Sequence, residues 1–203
     1  MSEAIAQISG EELTLDEYIR DFNERFWSTA NTGGWKLERR QTFRQPESAS
    51  WTAFDQGDWD RALRLIEERR PEMREYYRRI AEHGFEVRRL RVVERPLSPY
   101  LIWELNSLRL REEFGDWIRV IDADRLTALE ENGPLPELFV IGPDTVYEVV
   151  YDDEGIAVGA IRSVDAAEAK KAIRFIRSTY DRGEALSEFF DREVAGIRPP
   201  GTG

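Results

Sequence analysis

Apolar positions recur at helical spacing near the start of the chain, where Leu15, Tyr18, Ile19, Phe22 and Phe26 make one face of a helix running towards Trp27. Thr14, followed by Asp16 and Glu17, supplies an N-cap with acids in the first turn, where the helix dipole favours them. Asn31, Thr32, Gly33 and Gly34 break the chain. The period then changes from 3.6 to two: in WKLERRQTF, Trp35–Phe43, one side carries Trp35, Leu37, Arg39, Gln41 and Phe43 and the other Lys36, Glu38, Arg40 and Thr42, a strand pattern. A charged Arg39 on the Trp35 and Leu37 side must either snorkel over the strand end or be held by an acid. Ser48 and Ser50 ahead of Trp51 and Phe54 predict a short helix closed by Gly57. Asp58 caps the next helix, with Leu63, Leu65 and Ile66 facing inward. Pro71 kinks or restarts that helix, and its second part, through Met73, Tyr76, Tyr77 and Ile80, ends at Gly84.

The centre of the pattern is Phe85–Arg109. Val87, Leu90, Val92 and Val93 give a strand; Pro96 and Pro99 end it, and a helix is expected over Ser98–Phe114. Alternation puts Arg89 and Arg91 on one face with Val87, and Arg88 on the other with Leu90 and Val92. A short strand at Trp117–Ile121 and a loop over Glu130–Pro136 follow. Strands are then expected over Glu137–Ile141, Thr145–Tyr151 and Ile156–Val164, the last two forming a hairpin. The Asp152–Gly155 loop is too short for a calcium cage and reads as a turn. Asp165 caps a last helix from Ala166 to about Tyr180, buried along Ala169, Ala172, Ile173 and Ile176, and a short segment through Leu186, Phe189 and Phe190 resumes after Gly183. The expectation is an α+β fold: one domain over residues 11–196 between tails at 1–10 and 197–203, with a mixed or mainly antiparallel sheet of about five strands flanked by helices.

Composition removes several chemistries. Among 203 residues there is no Cys and one His, which excludes disulfides, thiolate nucleophiles and paired-imidazole sites within one subunit; no metal and no cofactor is expected. His83, beside Gly84 at a helix end, suits the dipole there better than a catalytic role. The net charge of -11 and pI near 4.8 argue against direct nucleic-acid binding. Arginines and glutamates interleaved over residues 67–79 read as a solvated helix face. No run is long enough to span a bilayer and the N-terminus does not read as a signal peptide, so a cytoplasmic protein is expected.

At WKLERRQTF, ASWTAFDQGDWDRAL, RRLRVVERPLSPYLIWEL and VYEVVYDDEGIAVGA the chain resembles an actinobacterial family of unknown function whose members are commonly encoded beside Xre-type helix-turn-helix regulators. The similarity covers nearly the whole chain between the tails and is most specific over Arg91–Leu105. The resemblance implies a regulatory accessory role and a helix-turn-helix regulator as protein partner, and it brings no activity to named residues. The order of elements in the second half also looks like the degenerate phospholipase D-type domains attached to some such regulators. Those bind or sense unless they carry a His-x-Lys motif; His83 is followed by Gly84 and Phe85, so the motif is missing.

The candidate binding surface is where Arg88, Arg89, Arg91 and Arg95 meet Tyr100, Trp103 and Glu104, with Trp35, Glu38 and Arg39 nearby. Arginines beside aromatic rings suit a small anionic ligand or a partner's acids, while the many glutamates, Glu38, Glu104 and Glu148 among them, offer internal partners instead. The functional expectation is a non-enzymatic regulatory accessory protein that binds a protein. The alternative is a small-molecule sensor or carboxylate-based hydrolase with a pocket near Trp35, Arg91, Tyr100 and Glu104, in which Glu104 and Glu148 form the carboxylate pair.

Overall fold

The computed structural model of the chain describes residue 5 and residues 8–28 and 33–199. Parts of the expected tails, residues 1–4, 6, 7 and 200–203, lie outside the described residues, as do Asn31 and Thr32 of the expected break. The strands are β1 (Glu11–Thr14), β2 (Gly34–Glu38), β3 (Val87–Val93), β4 (Trp117–Asp122), β5 (Leu138–Ile141), β6 (Thr145–Tyr151), β7 (Ala157–Val164) and β8 (Glu184–Ala185). The helices are α1 (Leu15–Ser28), α2 (Ala49–Asp55), α3 (Trp59–Glu68), α4 (Arg70–Glu82), α5 (Pro99–Phe114), α6 (Ala166–Tyr180) and α7 (Leu186–Glu193), with a 3-10 helix over Ala123–Leu129.

All eight strands join one sheet in the order β1-β7-β6-β5-β2-β3-β4-β8. The pairs β2–β3 and β3–β4 are parallel and the others antiparallel, so the α+β expectation holds and the count of about five strands is too low. The strand expected over Trp35–Phe43 stops at Glu38, because the peptide N–H groups of Arg39 and Arg40 donate to the Glu137 carboxylate at 2.7 and 2.5 Å and leave the ladder.

Helix starts follow local chemistry. Thr14 and Glu17 close a reciprocal capping box: the Thr14 peptide N–H and hydroxyl donate to Glu17 at 2.9 and 2.6 Å. Ser48, Asp58, Ser98 and Asp165 each accept a peptide N–H in the first turn of the helix that follows, which stabilises each by about 1 kcal/mol. Pro71 restarts the chain as the first turn of α4.

The sheet separates two cores. On one face, Phe26, Trp51, Trp59, Tyr77, Leu101, Trp103 and Phe189 bring α1–α5 and α7 onto Val87, Val93, Ile118 and Val120. The rings of Tyr18 and Phe22 dock α1 against Tyr147 and Phe139, with centroids 5.3 and 4.9 Å apart. On the other face α6 packs Ala169, Ala172, Phe175 and Ile176 on Leu37, Leu90, Val92 and Val140. Ile8, within the segment expected as a tail, is buried there and donates its N–H to Glu148 at 3.0 Å. Among the described residues no helix is long and apolar enough to cross a membrane.

β1 is seated by glycines. A Cβ at Gly159 would come within 2.1 Å of the Leu13 carbonyl oxygen, and one at Gly10 within 2.0 Å of the Arg162 carbonyl oxygen, so the backbones approach where side chains have no room. Gly159→Ala should therefore lower stability by about 1–3 kcal/mol and speed amide exchange over residues 11–14. Unchanged exchange in that variant would refute the β1–β7 pairing.

Candidate functional site

Strand alternation directs Arg89 and Arg91 beneath α5. Arg91 is 0% exposed. Its Nε donates to Glu104 at 2.7 Å and its Nη1 to the carbonyls of Glu38 and Val92 at 3.2 and 3.1 Å, while Nη2 has no partner. One turn before Glu104 on α5, the Tyr100 hydroxyl donates to the same carboxylate at 3.1 Å and accepts from Gln45 at 2.6 Å. Phe43 sets its ring 5.8 Å from the Arg91 guanidinium. Arg89 donates to both oxygens of Glu38 at 2.7 Å and to Asp116 at 3.4 Å. Asp116 also accepts the Tyr77 hydroxyl at 3.0 Å, and the Lys36 ammonium lies 2.5 Å from Glu38. Burial opposes charge on Glu38, but the Arg89 guanidinium and the Lys36 ammonium outweigh it and hold the carboxyl below its ordinary range. Trp103 donates its indole N–H to Ser50 Oγ at 2.9 Å, and Ser50 donates to the Ala62 carbonyl, tying α5 to α2 and α3.

Glu38, Arg89, Arg91, Tyr100, Trp103 and Glu104 are thus brought together, but inside the molecule and not on the surface expected for them. The other expected site residues lie elsewhere. Arg88 points to the α6 face, stacked 5.3 Å over Trp35 and paired with Glu86. Trp35 meets Tyr180 edge-on at 5.6 Å, so the sheet separates it from Arg91, Tyr100 and Glu104 and the four line no common pocket. Arg39 is held by acids, clamping Glu130 through Nε and Nη2 at 2.5 and 2.9 Å and reaching Glu94 at 2.7 Å. Arg95 pairs with Asp122 and Glu193. Glu148, beside Ile8 and Val146, faces away from Glu104.

A cleft of about 560 Å³ opens where β2 and β3 end, lined by Arg39, Arg40, Gln41, Glu94, Glu137 and Tyr151 among others. In parallel sheets the carboxyl ends of strands are the common place for ligands. Gln41 closes its floor: Nε2 donates to the Val92 carbonyl at 3.1 Å and Oε1 accepts the Glu94 N–H at 2.7 Å, so a side chain continues the β2–β3 pairing. Arg40 lies 5.1 Å over the Tyr151 ring. Glu137 is 7% exposed. Burial pushes its carboxyl up to about 7, with nearby Glu38 adding to this, against Arg91 and the two peptide donors that favour the charged form.

Of this cleft only Arg39 and Glu148 were marked by the sequence pattern. Glu137 precedes the apolar run LFVI and follows two prolines, which reads as an ordinary strand boundary, and nothing local shows its burial. The arrangement offers a carboxyl raised towards neutral pH in a cleft that Arg39 and Arg40 also line. Among the described residues no group of His, Asp or Glu is placed to hold a metal ion.

Fold and site together define an α+β protein with a mixed eight-stranded sheet and a charged interior between that sheet and α5. Residues 20–191 match the model of the DUF6879 family, a domain of unknown function, and the chain belongs to that family. A search of curated proteins finds none that matches the chain.

Two outcomes follow from this geometry. Arg91→Ala should destabilise the fold by about 3–5 kcal/mol, because it strands a buried Glu104, whereas Arg91→Met combined with Glu104→Leu should recover most of that loss; urea unfolding of both variants measures it. Glu137 has a folded pKa raised above its unfolded value, so its stabilising share is full below about pH 4.5 and is lost as pH rises through about 7. Glu137→Gln, which keeps an oxygen for the two peptide donors, should flatten the decline in stability between about pH 5 and pH 8 by roughly 3 kcal/mol, read by urea unfolding at each pH.

Proposed function

We propose that this chain is a non-enzymatic, cytoplasmic accessory protein that acts by binding a protein partner, a helix-turn-helix regulator. The observation that supports this reading is the disposition of its charges. Each arginine of the expected anion-binding group, Arg39, Arg88, Arg89, Arg91 and Arg95, is already paired with an acid of this chain. Within the buried network Lys36, Arg89 and Arg91 balance Glu38, Glu104 and Asp116, so the formal charge of -11 is borne by Glu137 and by groups outside it. An exterior rich in acids, with a large aromatic side chain such as Trp117 exposed on it, suits docking to the basic surface by which a regulator meets DNA.

A second reading, a sensor of a small polar molecule, draws support from the Glu137 and Arg40 cleft. It predicts a ligand-dependent rise in melting temperature that Glu137→Gln and Arg40→Ala both abolish.

The test of the first reading is size-exclusion chromatography with light scattering on the protein mixed with the regulator encoded nearest to it. A mixed species at micromolar concentration, whose affinity falls roughly tenfold between about 50 and about 300 mM salt, is the expected result. Absence of a mixed species at low salt overturns the reading.

A further inference from the structure

A second cleft, of about 540 Å³, lies at the opposite end of the central strands, where β4 begins. Three of its side chains stand together on the α6 face of the sheet. Alternation puts Trp117 and Arg119 on the face that carries Ile121, and the β3–β4 register sets Arg88 beside Trp117. The Trp117 side chain is 54% exposed, because β8 pairs with β4 only at Arg119 and Val120 and leaves the first residue of the strand uncovered.

Both guanidinium groups are oriented by their surroundings. Arg88 lies 5.3 Å over the Trp35 ring, Trp35 meets Tyr180 edge-on at 5.6 Å, and Arg119 lies 5.3 Å over the Tyr180 ring. Arg119 Nη1 donates to the Gly183 carbonyl at 2.8 Å. A Cβ at Gly183 would stand 3.2 Å from Arg119 Cβ and 3.0 Å from the Val120 carbonyl oxygen, so the chain after α6 comes this close for want of a side chain. The Tyr180 hydroxyl donates to the Trp117 carbonyl at 3.3 Å, which ties the ring to the start of β4.

The charges of the lining do not balance. Asp116 is answered by Arg89, Glu112 by Arg109 and Arg88 by Glu86. Arg119 meets a carbonyl and a ring, and among the described residues no carboxylate pairs with it. One positive charge is left over, which matches a ligand with a single negative charge. With Nη1 turned to Gly183, the Nε and Nη2 edge of the fork remains for a carboxylate.

We propose that this cleft binds a small aromatic carboxylate, its carboxylate pairing with Arg119 and its ring stacking on the exposed indole of Trp117. The site is separate from the Glu137 cleft and rests on neither reading given above. Two residues apart on one strand face, Trp117 and Arg119 are separated by about 6.6 Å, roughly the length of a benzoate ion. The flat indole favours a planar ring over a flexible chain, and the volume is that of a small-molecule site. A second negative charge would face Glu86, Glu112 and Asp116 with no cation left to receive it, so a phosphate monoester fits poorly.

The experiment uses sodium benzoate as the probe. It is titrated into the protein labelled with nitrogen-15, and the Trp117 indole N–H resonance is followed after assignment by Trp117→Phe. Benzamide, which has the ring without the charge, and sodium acetate, which has the charge without the ring, are the controls at equal ionic strength. A saturable shift at about millimolar benzoate is expected, with either control at least about fivefold weaker. No saturable shift up to about 50 mM benzoate overturns the site, and so does a control that matches benzoate.

Calorimetry on variants locates the probe. Arg119→Gln should weaken benzoate binding about tenfold or more, and Trp117→Ala, at an exposed position, about fivefold. Arg119→Lys, which keeps the charge without the fork, should fall between wild type and Arg119→Gln. Wild-type affinity in both Arg119→Gln and Trp117→Ala overturns the proposal. If N-acetylglutamate amide saturates the same resonance more tightly than benzoate, the occupant is an acidic side chain of a protein and the small-ligand assignment falls.

Discussion

Two guanidinium groups on the central strand dictate how the α5 side of the sheet is built. Arg89 and Arg91 occupy positions where alternation demands apolar side chains, between Val87 and Val93. An unpaired ion there would cost several kcal/mol, so the fold has to bring acids to both. β2 runs parallel to β3 with Glu38 opposite Arg91, which sets its carboxylate within reach of Arg89. α5 must begin close enough to β3 for Glu104, one turn into the helix, to meet Arg91. The chain must also leave α5 through Gly115, whose φ of 121° suits a residue without Cβ, so that Asp116 turns back towards Arg89.

These requirements explain why the arginines, so prominent in the sequence, are not a surface. Arginine on both faces of a strand points with equal force to a ligand site and to an internal network. What decides between them is the supply of acids at matching depth. Here three carboxylates arrive from three different segments, and the aromatic rings of Phe43, Tyr77 and Tyr100 close around them. The result is an interior close to neutral and an acidic exterior, and the latter bears on what the protein meets.

Legibility followed range. The caps at Thr14, Ser48, Asp58, Ser98 and Asp165 are local hydrogen bonds, and the helices they open stand close to where periodicity places them. The faces of Arg88, Arg89 and Arg91 follow from alternation alone. What was not legible depends on contacts distant in sequence. The sequence reading places no strand over residues 11–14, because what seats β1 is the glycine opposite it, Gly159. β2 ends five residues before the expected Phe43 because of a carboxylate almost a hundred residues away. β8 has two residues and no pattern to detect. The same holds for the clefts: Glu137 and Asp116 look like ordinary acids at strand starts until the neighbours that bury them are known.

The buried charge network runs between two clefts at opposite ends of the central strands. The first, at the carboxyl ends of β2 and β3, holds Glu137, whose ionisation is opposed by Glu38 and favoured by Arg91. The second, at the amino end of β4, holds Asp116, bonded to Arg89, which is bonded in turn to Glu38. Glu38 is therefore the member on which both ends depend: its carboxylate holds Lys36 and Arg89, and its carbonyl accepts Arg91. Charges joined this way in a poorly screened interior are not independent. Altering the charge at either mouth shifts the potential at the other with the sign of the charge that is altered, and this holds whether or not any backbone atom moves.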